Sequence, residues 1–378
     1  MSSVAKSVGE LICYYRKRDD RTQGLLAKWL DCSVPRICRI ESGKASPRPQ
    51  DIEILLQPGH LHVSDEERAQ LWLTFQNDII NQPPKISHPS EKRFENEPDD
   101  LDPFVIYKPI SYPKQFFGRT KELKPIFTAW EKFNMQDFAV IGKRRSGKTS
   151  LLNYIKTIPF APINTLRSEQ RNDWLSSPER YHWIDVDFQN PIMCEQEGLF
   201  RYISDCLHIS IPSPCTLSQF TERVKIPLGA PTVILMDEIS VAFSSAGIEE
   251  MFWTSLRSLA CDPRLKLALI VASDRPISEL MHSYHGSSPL LNIFRTLDLG
   301  PFTEMEAREL ISCSPLPFDV DDVAWIIEKS GCWPAFVQIL CKIRLEALEN
   351  HESDEAWKHT GLHQMENHPH LLDNEEMP

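Results

Sequence analysis

Phe138-Ala-Val-Ile-Gly142-Lys143-Arg144-Arg145-Ser146-Gly147-Lys148-Thr149-Ser150 is the stretch that decides how this chain folds. Its first four residues are apolar and read as a buried strand; a loop bounded by two glycines follows, then an amphipathic helix from Ser150 to Lys156. The loop fits the pattern GxxxxGK[ST]. Glycines let a backbone turn tightly enough for its N–H groups to point inward and cradle polyphosphate oxygens. On that reading residues 142–147 form the cradle and Lys148 reaches the β- and γ-phosphates. The Thr149 hydroxyl ligates Mg²⁺, and the helix opening at Ser150 offers the positive end of its dipole. A glycine-bounded basic turn is the plainer alternative; the strand before it and the helix after it favour the cradle.

Downstream, Val233-Ile-Leu-Met-Asp237-Glu238 is an apolar strand ending in two acids, 89 residues after Lys148. Asp237 is expected to hold Mg²⁺ through water, and Glu238 to polarise the attacking water. An acidic helix cap is the competing reading of the pair. Tyr181–Phe188, Leu265–Ala272 and Thr296–Leu299 read as further strands, with helical segments such as Met251–Leu259 between them. Strands alternating with helices imply an α/β fold with a mainly parallel sheet covered on both faces. After Phe302 the pattern is helical only: Glu304–Ile311, Val323–Lys329 and Pro334–Leu348, with Asp321 and Asp322 where a cap for the second is expected.

Three further stretches carry a family resemblance. Phe116-Phe-Gly118-Arg119-Thr-Lys-Glu122-Leu is similar to the FxGRexEL segment ahead of the phosphate loop in AAA+ and STAND ATPases. Val271-Ala-Ser273-Asp-Arg275 stands where sensor 1 of those families stands, and Gly331-Cys-Trp-Pro334 looks like the GxP motif of the STAND helical lid, with two residues rather than one between glycine and proline. Over residues 113–348 the chain resembles STAND and archaeal-type AAA+ P-loop ATPases. The resemblance implies ATP and Mg²⁺ as cofactors and an adenine lying near Gly118, Arg119 and Pro334. It also implies γ-phosphate sensing by Ser273 and Arg275 beside the catalytic Lys148 and Glu238. Ser273 and Arg275 also read as ordinary loop polars. Arg295, expected just before the last strand, has two readings: an arginine acting on a neighbouring subunit's nucleotide, or a surface arginine. Asp185 and Asp187 are read as structural.

The N-terminal region is helical throughout. Val8, Leu11, Ile12 and Tyr15 make one apolar face; Thr22 caps a helix with Leu26, Trp29 and Leu30 inward; Ser33 caps a short helix with Ile37 and Ile40 inward and Arg36 and Arg39 outward. Gly43 ends it, and further helices start at Asp51 and Asp65. Residues 8–56 resemble the Cro/repressor-like helix-turn-helix family, carried by Thr22-Gln23-xxx-Ala27-xx-Leu30, Ser33–Ile40 and Arg39-Ile-Glu41-Ser-Gly43-Lys44. The resemblance implies a DNA-binding head: the helix from Ser33 enters the major groove, Gln23 and Lys44 contact phosphate, and Arg36 and Arg39 lie near base edges or backbone. Pro35, in the first turn of that helix, removes a donor and a contact side chain. A protein-binding module of the same fold is the alternative.

Composition frames these readings. The chain has 378 residues, 41% hydrophobic and 25% charged, enough apolar surface for real cores and too much for a wholly disordered protein. No apolar run approaches the ~18 residues of a membrane span, and the N-terminus lacks a signal-peptide pattern, so a cytoplasmic location without membrane contact is expected. Ten cysteines without a CxxC pair read as reduced, mostly buried thiols. Net charge is −12, yet residues 1–50 hold ten Lys/Arg against five Asp/Glu, which directs any DNA contact to the N-terminus. Seven prolines between Pro83 and Pro113 mark a linker, and the acidic stretch from Glu349 reads as a disordered tail. His359, His363, His368 and His370 there, like His60 and His62, read as bland rather than as metal ligands, and Trp253 as a core or lid contact.

The expected organisation is a multi-domain chain. An all-α helix-turn-helix head (1–80) precedes a proline-rich acidic linker (81–112), a P-loop NTPase core (113–300), an α-helical lid (301–348) and the tail (349–378). The expected function is a DNA-binding ATPase switching with its nucleotide in a regulatory, mobile-element or defence setting. ATP binding would drive homo-oligomerisation, and a separate protein sensor or effector could act on it. The alternative is a nucleotide-loaded adaptor without enzymatic turnover.

Overall fold

The computed structural model describes residues 7–30, 32, 34–42, 47, 49–57, 59–64, 66–71, 74, 101–132, 135–282, 293–352 and 355–368. The chain divides into two compact units, Met1–Ile86 and Ser87–Pro378.

The first unit is all helix. α1 (Val8–Arg18) opens with a capping box between Ser7 and Glu10, α2 (Gln23–Trp29) is capped by the Thr22 hydroxyl, and α3 (Val34–Glu41) and α4 (Pro49–Leu55) follow. Residues 66–71 are helical too. Ile12, Leu26, Ile37, Ile40, Ile52 and Leu71 are all but inaccessible and form one small core. α1 crosses α3 at Gly9, where a Cβ would stand 2.0 Å from the Ile40 carbonyl oxygen. Because that neighbour is backbone, Gly9→Ala is expected to destabilise this unit by about 1–3 kcal/mol through overpacking. Denaturant unfolding of the full chain, followed at the head by amide exchange, checks this; unchanged protection of α1 and α3 would show that the crossing yields easily.

In the second unit, α5 (Thr120–Trp130) leads into β1 (Asp137–Ile141), followed by α6 (Lys148–Thr157) and β2 (His182–Asp187). Then come α7 (Gln196–Cys206), α8 (Leu217–Val224), β3 (Thr232–Asp237), α9 (Ile239–Ser244) and α10 (Glu250–Ala260). β4 (Leu267–Ser273), α11 (Ile277–His282) and β5 (Phe294–Asp298) complete the sheet, whose order is β2-β3-β4-β1-β5 with every pairing parallel. Side-chain alternation along β1 shows why both faces need helices. Ala139 and Ile141 join the cluster of α7 and α10, whereas Phe138 and Val140 join that of α5 and α6. Trp253 is fully buried, with Phe188, Phe243 and Phe252 around it.

The region expected to form the lid folds as α12 (Glu304–Ile311), α13 (Val320–Ser330), α14 (Pro334–Glu349) and α15 (Ala356–Glu366), called the lid below. Three expectations are corrected here. Residues 355–368 of the expected disordered tail are ordered: α15 buries Trp357 and Met365 in the lid core, and Arg344 ion-pairs with Asp322 while its guanidinium lies 5.2 Å from the Trp357 ring. Residues 101–112 of the expected linker pack onto the body, with Phe104 buried in the same core, because apolar residues interleave with the prolines. The ten cysteines are unpaired as expected, but only Cys341 is buried and Cys38 and Cys261 are exposed. The acidic linker patch at 95–100 and His370 lie outside the described residues. Among the described residues no helix is long and apolar enough to cross a membrane.

Candidate functional site

β1 delivers the phosphate loop to the carboxyl edge of the sheet. There the Gly142 N–H donates to the Ser273 carbonyl at the end of β4 (3.1 Å), and the Ser146 N–H donates to Lys143 O (3.1 Å). Gly147 adopts φ +97° immediately before α6, a left-handed conformation that a side chain would strain. Arg145, inside the loop, also has positive φ (+69°).

Lys148 is almost fully buried, and its Nζ donates to Gly142 O (2.9 Å) and Lys143 O (3.3 Å). An ammonium has three donors, so one remains for a ligand. Burial pushes the Lys148 pKa down, while the nearby Glu238 and Asp237 carboxylates pull it back up. The Thr149 hydroxyl donates to Asp237 Oδ2 (2.6 Å), and the Glu238 N–H donates to Asp237 Oδ1 (3.0 Å). Burial holds the Asp237 carboxyl above the ordinary range, opposed by the Thr149 bond. Glu238 sits in the left-handed region (φ +52°) at the strand-to-helix turn, and its side chain makes no hydrogen bond or salt bridge among the described residues.

A cavity of about 280 Å³ lies against this edge. Arg144, Arg145, Gly147, Lys148, Thr149, Ser150 and Glu238 line it from the core, Pro334 and Gln338 from the lid, and residues 105–110 from the segment expected to be linker. A smaller apolar pocket of about 50 Å³ shares Gly147, Ser150, Pro334 and Gln338 with it and adds Phe116, Phe117, Phe302 and Arg119. The Ser146 hydroxyl, on that pocket's wall, is buried without a partner. An orphaned hydroxyl, a lysine with a spare donor and a Thr–Asp pair converging at one edge fit a nucleoside triphosphate and a divalent cation. Thr149 and Asp237 would hold the metal, whose charge would neutralise the phosphate oxygens.

The remaining expected residues are placed as follows. Arg119 is buried: it donates to Gly300 O (2.6 Å) and Ser146 O (3.3 Å), while its N–H donates to Glu306 Oε1 (2.7 Å). It thus ties the loop to the lid. Gly118, with φ +64°, faces the Glu306 carboxylate rather than the cavity. Lys143 lies over the Trp333 ring (5.9 Å) and does not line the cavity. Ser273 is buried, with its hydroxyl donating to Arg275 O (2.7 Å); Arg275 is half exposed, and neither lines the cavity. Arg295 lies within β5, opposite Phe138, not ahead of the strand, and is exposed. Asp185 pairs with Lys156 of α6, and Asp187 adjoins Asp237 in register. His359 and His363 are exposed, and His60 stacks on Trp29 (4.2 Å). No cluster that could hold a metal occurs among His, Cys, Asp and Glu of the described residues. His368 lines the cavity.

In the head, Arg39 is exposed on α3. Arg36 instead pairs with buried Asp51 (2.9 Å), and the Gln23 amide donates to Glu41 Oε2 (2.8 Å), which also receives Arg16 (2.9 Å). Ser33 and Lys44 lie outside the described residues.

Comparison with known proteins gives two family matches. A helix-turn-helix domain model matches residues 8–71, and the model of Novel STAND NTPase 2 matches residues 226–370. The chain thus joins a helix-turn-helix region to a P-loop ATPase-like body whose C-terminal part is similar to a STAND NTPase. This NTPase body has the fold of the ORC2 protein of Aeropyrum pernix, solved as ADPNP–ADP complexes, at 12% identity over 70% of this chain and 72% of that one, with a TM-score of 0.52. Weaker likenesses include the Aeropyrum pernix ORC1 protein in complex with DNA (13% identity, 67% and 66% covered, TM-score 0.47). Another is a Walker-type ATPase of Pyrococcus abyssi (17%, 65% and 71%, TM-score 0.45). No curated protein matches the sequence.

Residues 105–110, Gln338 and His368 escaped sequence reading. Only the apolar residues among the prolines of 101–112 offered a local signal that this segment packs.

Proposed function

We propose that this chain is a DNA-binding ATPase that uses ATP·Mg²⁺ as a switch. The observation that carries the reading is the Glu238 carboxylate, opening without a hydrogen-bonding partner among the described residues into the cavity that Lys148 and Thr149 line. A carboxylate so placed accepts a proton from water as the water oxygen attacks the γ-phosphorus; the bond from that phosphorus to the β-bridging oxygen breaks and ADP leaves. Mg²⁺, when held at Thr149 and Asp237, supplies charge neutralisation at the phosphates. Lys148 stabilises negative charge, and Arg119 carries the state of the loop to the lid through Glu306. The head supplies the DNA contact through α3, and lid closure on ATP promotes self-association, which places two heads on neighbouring half-sites.

A second reading has an observation of its own. Gln23 and Arg36, two side chains expected on DNA, are engaged by Glu41 and Asp51, which suits a head that binds protein. DNA binding by the full chain, measured at several salt concentrations with ATP, with ADP and without nucleotide, separates the readings. The switch expects affinity that rises with ATP and falls steeply with salt. Equal affinity in all three nucleotide states sinks the switch, and the lack of salt-dependent binding sinks the DNA partner.

A further inference from the structure

Residues 105–110 form one wall of the cavity without a break. They are fastened at both ends to different parts of the body. The Val105 N–H donates to Gln338 Oε1 on the lid helix α14 (3.0 Å); the Ile110 N–H donates to Ser150 Oγ on α6 (3.0 Å), and Asn153 of α6 donates to Ile110 O (3.1 Å). The segment therefore bridges lid and core across the cavity mouth.

Its middle is a three-residue turn closed by the Lys108 N–H donating to Ile106 O (2.9 Å), with Tyr107 at φ +68°. That hand of turn is rare and strained, and such strain persists where surrounding contacts hold it. Here two contacts hold it. The Tyr107 hydroxyl donates to Gln364 of α15 (3.2 Å), and the Tyr107 ring lies 5.6 Å from the Arg145 guanidinium of the phosphate loop. The turn leaves Lys108 exposed on the cavity wall, and its ammonium has no ion pair or hydrogen bond among the described residues.

Charge gives this lysine a task. The lid lines the cavity with Pro334, Ala335, Gln338, Ile339 and His368, none of them Lys or Arg. The core supplies Lys148, Arg144 and Arg145 against one carboxylate, Glu238. Among the described residues Lys108 is the one Lys or Arg that lines the cavity from outside the phosphate loop and its helix.

We propose that residues 105–110 are a polyphosphate clamp, in which Lys108 binds the phosphates of the nucleotide and the Tyr107 turn holds it in place. The proposal rests on the nucleotide reading of the cavity. It assigns a phosphate cation from outside the phosphate loop to a strap bonded to both lid and core, so nucleotide binding and the lid–core angle share one element.

The test measures ATP·Mg²⁺ and tripolyphosphate binding by the full chain and by Lys108→Ala, Lys108→Glu and Lys108→Arg. Loss of one charge-assisted hydrogen bond weakens binding about tenfold. We expect that loss in Lys108→Ala for both ligands, a larger loss in Lys108→Glu and near-complete rescue in Lys108→Arg, with thermal unfolding unchanged in all three. Wild-type protein that binds neither ligand would refute the nucleotide reading itself. Wild-type binding with an unchanged Lys108→Ala, or a loss that Lys108→Arg does not rescue, would overturn the clamp alone. Tyr107→Phe provides a second check: it removes the Gln364 bond and keeps the ring over Arg145, and it should weaken ATP binding less than Lys108→Ala does.

Discussion

Lys148→Ala is expected to lose ATP·Mg²⁺ affinity on the order of 10²–10³-fold, and ATP hydrolysis with it. The size follows from burial: truncating one partner of a desolvated charge pair costs about 2–5 kcal/mol. In this protein Lys148 is the buried cation at the mouth of α6, with two of its donors closing the loop on Gly142 and Lys143. Alanine removes the charge that faces the phosphates and also loosens the loop that presents the backbone donors. Equilibrium binding of a fluorescent ATP analogue checks the first effect and steady-state phosphate release the second; wild-type turnover in the variant would refute the site. The same lysine sets a pH dependence. Burial lowers its pKa in the free protein, and bound phosphate favours its charged form and raises it. Above the lowered value and below the ordinary lysine range, binding therefore takes up a proton, and affinity declines as pH rises through that window. Calorimetry in two buffers of different ionisation enthalpy reads the uptake directly.

Glu238→Gln should behave in the opposite way on binding and alike on turnover. Thr149 and the Glu238 N–H, not the Glu238 side chain, orient Asp237, so the metal-holding pair survives the substitution. What disappears is a cavity carboxylate that makes no hydrogen bond or salt bridge among the described residues. General-base catalysis contributes about 10²–10⁴-fold, and hydrolysis should fall by that factor while ATP·Mg²⁺ binds at least as tightly. Removing a negative charge near the phosphates does not weaken their binding. A single-turnover experiment separates the two; hydrolysis at the wild-type rate would mean that Glu238 is not the base.

The parts of this architecture legible in the sequence are those whose determinants are local. β1, its glycine loop and α6 are encoded within nineteen consecutive residues, 138–156, and Asp237-Glu238 ends a strand whose apolar run is visible alone. The lid's last helix was hidden by its composition: eight acids from Glu349 onward suggested a solvated tail. Yet Trp357, Gly361 and Met365 recur every fourth residue and are the three buried positions of α15, a stripe at helical spacing. The strap at 105–110 was hidden by distance. Its partners Gln338 and Gln364 lie 233 and 257 residues away in the chain, and nothing local to Val105 or Tyr107 announces them. The expected role of Arg36 on DNA overlooked Asp51, an acid placed opposite it only once α4 folds back.

The order in which the ribosome releases these strands has a consequence of its own. β1 carries the phosphate loop, but its neighbours in the sheet are β4 and β5, made from residues 267–273 and 294–298. A nascent chain that has just exposed the loop therefore has no strand to pair it with and must wait for more than a hundred further residues. The head has no such dependence, since α1 to α4 find their core within the first few dozen residues to emerge. During synthesis the helix-turn-helix unit is complete while β1, the apolar strand that carries the phosphate loop, is still unpaired. A chain cut short before residue 267 would carry the head but lack both strands that flank β1.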